Sequence, residues 1–150
     1  MIRKNAYAFL LFFLAAGLLV SLYSLKQHYA PLGTSVCNVS ATFNCDLVNK
    51  GPYGEIFGFP VAAIGVIGYV LMGILAVHFS RTKDPVIGMS LLAMLASGLA
   101  FTAYLTYLEA FVIYAWCLMC LASLSSVVGA SLAGQMTYAQ FAPPSEAKNS

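Results

Sequence analysis

A chain of 150 residues that is 61% hydrophobic and only 8% charged lacks the polar surface a water-soluble fold of this size must present. Its formal charge is +2, from seven basic and five acidic residues, and no nucleic-acid partner is expected. The composition predicts an all-α integral membrane protein.

Charged side chains cost about 2.5–3.5 kcal/mol each at the centre of a spanning helix, so they mark where the chain leaves the bilayer. The first uncharged run follows Arg3 and Lys4 and predicts a helix over 6–25. At roughly 20 residues it exceeds the core of a signal peptide, and "SLYSLKQHYA" offers a poor small-residue cleavage site, so this helix is expected to be retained. A loop over 26–57 comes next. Further spanning helices are expected at 58–80, 86–108 and 112–134, with Pro60 near the first turn of the second, where its missing N–H costs little. Gly65, Gly68 and Gly73 are read as permitting close helix packing. Gln135, Gln140, Pro143 and Pro144 mark 136–150 as a polar tail. The expected architecture is a four-transmembrane-helix bundle, one domain spanning 1–150.

Orientation follows from the distribution of Lys and Arg. With both termini in the cytoplasm, the inner face carries Arg3, Lys4, Arg81, Lys83 and Lys148, leaving Lys26 and Lys50 outside. The loop between the first two helices is then extracytoplasmic, and "RTKDP" is a tight cytoplasmic connection.

On this topology all four cysteines sit at one end. Cys37 and Cys45 fall in the outer loop, within "SVCNVSATFNCDLVNKG", while Cys117 and Cys120 form a CxxC near the outer end of the fourth helix. An even set of cysteines on the oxidising side points to disulfide chemistry. The spacing of three lets Cys117 and Cys120 share a helix face, whereas small and polar residues join Cys37 to Cys45 and leave either free to reach elsewhere. Two purely structural disulfides are the bland alternative, as in a small membrane scaffold or transporter subunit. An i to i+3 bridge closes almost no loop, however, and stabilises little. A c-type haem needs His after CxxC, where Leu121 stands. Four thiolates facing an oxidising compartment would oxidise before holding zinc, so no metal is expected.

The ordered run of a spaced cysteine pair, "ATFNCDLVNKGPYGEIFGFPVAAIGVIGY", two further helices and a CxxC resembles the prokaryotic vitamin K epoxide reductase homologues, which are membrane disulfide-forming enzymes. DsbB-type oxidases place their quinone-proximal CxxC in the first outer loop, the reverse of the order here. The resemblance implies a prokaryotic cytoplasmic (inner) membrane location and a four-helix bundle around a quinone, ubiquinone or menaquinone, as electron acceptor. It implies that a reduced DsbA-like, thioredoxin-fold partner attacks Cys45, that Cys37 then attacks Cys117, and that Cys120 is freed beside the quinone. No thioredoxin-like domain stands in this sequence, so the partner is expected in trans. The implied result is a quinone-dependent thiol oxidase that sustains disulfide formation. A CxxC in apolar sequence then makes sense, because its acceptor is dissolved in the membrane.

Around this centre, Phe101, Tyr104 and Trp116 are candidates to wall a planar quinone ring, though aromatics near helix ends also form the interfacial belt. Glu109 reads chiefly as a marker of the water interface, with quinone protonation as the sharper alternative. Lys50 and Asp46 flank Cys45, where a cation could stabilise a thiolate. His78 falls at the opposite end of the bundle, and the Asn38–Val39–Ser40 sequon matters only in a eukaryotic secretory setting. Many relatives have Ser or Thr where Gly51 stands, and the animal enzymes have Asn and Tyr at the positions of Gly54 and Leu124. These departures favour plain quinone reduction over epoxide reduction.

Overall fold

Helix α1 spans Ile2–Tyr29 in the computed structural model, which describes residues 2–141. A short helix α2 (Cys45–Asn49) and a two-stranded hairpin, β1 (Glu55–Ile56) with β2 (Phe59–Pro60), occupy the first loop. Long helices α3 (Val61–Thr82), α4 (Pro85–Leu108) and α5 (Leu118–Phe141) follow. Among the described residues, four segments are long and apolar enough to cross a membrane: Asn5–Tyr29, Val61–Thr82, Pro85–Ile113 and Leu118–Phe141. The chain is a helical membrane protein of the architecture its composition predicts.

The helices close a ring in which α1 packs against α3 and α5, and α4 against the same two. Leu10, Leu14, Tyr69, Met72, Leu91, Leu95 and Ala130 fill its centre. In lipid this packing gains dispersion energy rather than hydrophobic burial, so close approach matters most. The approach is made at Gly129, where a Cβ would stand 2.6 Å from the Phe13 ring, and at Gly88, equally close to Phe79 and Tyr138. Of the three glycines singled out in the sequence, Gly65 has such a neighbour, Ser21 Oγ at 2.9 Å, whereas Gly68 faces only Met72 Cε at 3.9 Å and Gly73 faces open space.

Several boundaries differ from expectation for identifiable reasons. Helix α1 runs on to Tyr29 because His28 in its last turn has tertiary partners, the Asn49 carbonyl (2.8 Å) and Glu55 (3.1 Å) of the loop, while Gln27 Nε2 donates one turn back along the helix to Tyr23 Oη (2.8 Å). The expected tail is helical through Phe141, because Tyr138 and Phe141 pack on Phe79 and buried Thr137 bonds the Ala133 carbonyl. Residues 142–150, Lys148 among them, lie outside the described residues. The last spanning helix starts at Leu118 instead of 112. A π-helical turn, Glu109–Ile113, prolongs the third span, Tyr114 ends it in the left-handed region (φ 54°), and the chain runs extended before α5.

Candidate functional site

The outer loop is held as a compact cap by a few side chains. Asn44 caps α2 by accepting from Leu47 N–H at 3.0 Å. Buried Asp46 accepts from Gly33 N–H and Asn38 Nδ2, both at 2.7 Å, and pairs with Lys50 Nζ at 3.0 Å. His28 on α1 reaches the Asn49 carbonyl (2.8 Å) and Glu55 (3.1 Å), while Asn49 Nδ2 donates to the Ser24 carbonyl (2.7 Å). Gly51 and Gly54 fit the same cap, since a Cβ would meet the Leu47 carbonyl oxygen at 2.4 Å and the Asn49 carbonyl oxygen at 2.3 Å. The polar side chains of relatives at these two positions have no room in this arrangement.

Burial pushes the Asp46 carboxyl up, but the Gly33, Lys50 and Asn38 hydrogen bonds together hold it below its ordinary 3.8. A carboxyl lowered on folding stabilises the cap fully above that value, and the contribution is lost as pH falls through the lower folded value. Reduction of Cys37–Cys45 by a phosphine should therefore accelerate as pH drops below 3.8. In Asp46→Asn the reduction should already be fast at neutral pH and lose that acid dependence. A wild-type rate indifferent to acid would show that Asp46 does not hold the loop closed. Lys50 is committed to Asp46 and to the Pro31 carbonyl at 3.3 Å, which leaves the proposed support of a Cys45 thiolate without a structural basis.

The cap delivers one cysteine to the bundle. Cys37 and Cys45 are joined in a disulfide, and Cys117 and Cys120 are free. The extended segment before α5 pairs with the loop as a parallel bridge, Phe43 to Trp116, in which Asn44 N–H donates to the Trp116 carbonyl and Trp116 N–H to the Thr42 carbonyl. Cys45 stands two residues beyond Phe43 and Cys117 one beyond Trp116, and Cys45 Sγ lies 3.4 Å from Cys117 Sγ. Cys37, Cys45 and Cys117 are each no more than 3% exposed and share a cluster with Val48, Met119 and Cys120. A thiolate attacks the sulfur it touches. The resemblance implies Cys37 as the sulfur that exchanges with Cys117, whereas the loop sulfur in contact with Cys117 in this structure is that of Cys45.

Cys117 immediately precedes α5, and its sulfur accepts the Cys120 N–H at 3.4 Å, as an N-capping side chain does. It lies between the third and fourth spans. Its thiol is held below its ordinary range, chiefly by the Cys120 thiol hydrogen bond, against burial and the Glu109 charge. Such a thiol is a competent nucleophile and leaving group.

Beyond Cys117 the path opens into the bundle. A cavity of about 290 Å³ lies among α1, α3, α4 and α5, walled by Ile64, Met72, Phe101, Leu105 and Val127, with Cys120, Asn49 and Ser123 also lining it. An apolar slot with a few polar groups suits a lipid-soluble ring compound. Of the aromatic candidates, Phe101 lines this cavity, whereas Tyr104 and Trp116 are not among its lining residues. Tyr104 stands on the outward flank of α4, 55% exposed, and the backbone of Trp116 holds the loop in register. Tyr69, absent from the sequence-based candidates, lines the cavity and bonds Ser123 Oγ at 3.0 Å.

The sequence favours an interface role for Glu109 over quinone protonation, yet the residue is 1% exposed. Its Oε2 accepts the Cys117 N–H at 3.0 Å. A carboxylate oxygen and the sulfurs of Cys117 and Cys120 lie within 4.8 Å of one another. The signal was available in the sequence: Gly98, Phe101, Thr102 and Leu105 line the cavity at helical spacing, and Glu109 continues that stripe. Residues 8–134 match the family model described as Vitamin K epoxide reductase family.

Proposed function

Because the chain belongs to the vitamin K epoxide reductase family, it is a membrane oxidoreductase of thiols and disulfides, and we propose that it oxidises an extracytoplasmic thioredoxin-fold partner at the expense of a quinone. The observation that carries this reading is the sulfur path itself, which runs from the loop disulfide through the 3.4 Å contact of Cys45 with Cys117 to Cys120 at the apolar cavity. A scaffold with structural disulfides gives no reason for two free thiols to stand between a bridged pair and a cavity.

The cycle follows from which sulfurs touch. A thiolate of a DsbA-like partner attacks Cys37, and Cys45 leaves as thiolate. The partner's second thiol attacks the mixed bond and departs as a disulfide, leaving Cys37 reduced. Cys45 then attacks Cys117 of the Cys117–Cys120 disulfide and frees Cys120. Attack by Cys37 on Cys45 restores the loop bridge and frees Cys117, which is the state of the structure, with the loop pair joined and the CxxC pair reduced. A quinone in the cavity supplies a two-electron acceptor, either ubiquinone or menaquinone. Phe101 and Leu105 wall the slot and exclude water, while Asn49, Ser123 and Tyr69 offer polar contacts in the cavity that Cys120 also lines.

Direction follows from potentials. A DsbA-type partner sits near about −120 mV, and about 30 mV is worth 1.4 kcal/mol in a two-electron step, so only a stronger acceptor drains it. The buried loop sulfurs require the cap to open for the partner, which sets this step apart from the internal exchange. The end bearing Arg81 and Lys83 is placed in the cytoplasm and the cysteine end outside, in keeping with the charge asymmetry.

The test uses purified protein, a reduced DsbA-like protein and a short-chain quinone, with quinol followed optically. Wild type should turn over and Cys120→Ala should not. Wild-type protein with an intact loop disulfide that yields no quinol from either quinone class would overturn the reading.

A further inference from the structure

Closing the Cys117–Cys120 disulfide breaks two S–H bonds: two electrons leave for the acceptor, and two protons must leave as well. The inference here rests on the quinone reading above and concerns those protons. Buried carboxyl groups are costly unless their oxygens are used, and in a spanning segment they mark function more often than packing. Glu109 is such a group, 1% exposed at the end of the third span. One oxygen is fixed by the Cys117 N–H at 3.0 Å, and the other, Oε1, is buried without a hydrogen-bond partner among the described residues. Neither of the two ion pairs among the described residues includes it. The titratable groups around it are Cys117 and Cys120, and Tyr69 of α3 stands on the wall of the adjoining cavity.

We propose that Glu109 is the proton acceptor of the CxxC pair, taking a thiol proton as the Cys117–Cys120 bond forms and releasing it toward the quinone oxygen in the cavity. The carboxylate and both sulfurs lie within 4.8 Å of one another, a gap that a small rotation or one water spans. The π-helical turn contributes by widening the chain at Glu109, so that the carboxyl meets the backbone of Cys117 instead of continuing a regular helix into the interface. The balance closes: two thiols become one disulfide, the quinone gains two electrons, and the two protons complete the quinol, one of them by way of Glu109.

Glu109→Gln keeps the size of the side chain and an oxygen for the Cys117 N–H but cannot carry a proton. The full chain, reduced at its CxxC pair in a lipid nanodisc, is mixed with a short-chain quinone, and single-turnover quinol formation is recorded from about pH 5 to pH 9. Glu109→Gln should be slower by about 100-fold at neutral pH and should accelerate with rising pH as solvent base takes over. Its loop disulfide should still be reduced by dithiothreitol at the wild-type rate, and Glu109→Asp should recover part of the quinone step. A Glu109→Gln variant with the wild-type rate and pH profile would overturn the proposal, as would one slowed equally in both half-reactions, which would make Glu109 a structural anchor. Wild-type protein inert toward quinone would instead strike the oxidase reading itself.

Discussion

A variant carrying Cys37→Ala and Cys120→Ala should form a Cys45–Cys117 disulfide within minutes of adding diamide, which takes up the two electrons and two protons. The two sulfurs already stand 3.4 Å apart, and a disulfide bond of about 2.05 Å needs only a small approach. The bond would close a loop across a sequence separation of 72 residues, so the oxidised variant should be stabilised over its reduced form by about 4 kcal/mol on the loop-entropy estimate. Non-reducing electrophoresis and intact mass report the bond, and thermal unfolding in detergent reports the stabilisation. The partner variant, Cys45→Ala with Cys120→Ala, leaves Cys37 and Cys117 and should link poorly. Faster linking in the variant that leaves Cys37 would return the exchange role to Cys37. In the otherwise intact protein, Cys117→Ser should lower turnover by at least about a thousandfold, since a hydroxyl replaces both nucleophile and leaving group.

The distinction between Cys37 and Cys45 shows what the sequence could carry. Four spans, the clustering of four cysteines at one end and the family resemblance were legible because charge spacing and motif order are one-dimensional properties. Which loop cysteine touches Cys117 was not, because that contact depends on a bridge between Phe43 and Trp116, more than 70 residues apart with no pairing signal in their composition. Trp116 was read by chemistry as a ring-stacking residue, whereas its backbone does the work. Tyr104 was read likewise, and its outward position follows from helical phase: Gly98, Phe101, Thr102 and Leu105 define the inner stripe and Tyr104 lies off it.

Glu109 illustrates a different limit. A lone carboxylate beside a long apolar run reads as a boundary, since charge is costly in lipid. Helical phase argued against that reading by putting Glu109 four residues beyond Leu105. The π-helical turn that seats it against Cys117 has no compositional signature in "EAFVI". The start of the last helix was misplaced for the same reason, because Val112 and Ile113 are apolar enough to belong to either span and only the left-handed Tyr114 divides them.

Filling the cavity should separate activity from stability. Gly68 lies on α3 at the cavity wall, and a Cβ there meets only Met72 Cε at 3.9 Å, so Gly68→Leu can extend its side chain into the slot without moving a backbone. Quinone reduction should fall by about 100-fold or more, because an acceptor that cannot seat beside Cys120 loses the positioning on which the transfer depends. Internal exchange between Cys45 and Cys117, and reduction of the loop disulfide by dithiothreitol, should keep their wild-type rates, since neither involves the cavity. Replacing a helix-interior glycine also removes a backbone entropy cost of about 1 kcal/mol, so the variant should unfold no earlier than wild type. An inactive but stable Gly68→Leu would place the acceptor in this cavity. Full quinone turnover in Gly68→Leu would mean that electrons leave Cys120 toward another surface, and Phe101 and Leu105 would then be packing residues alone.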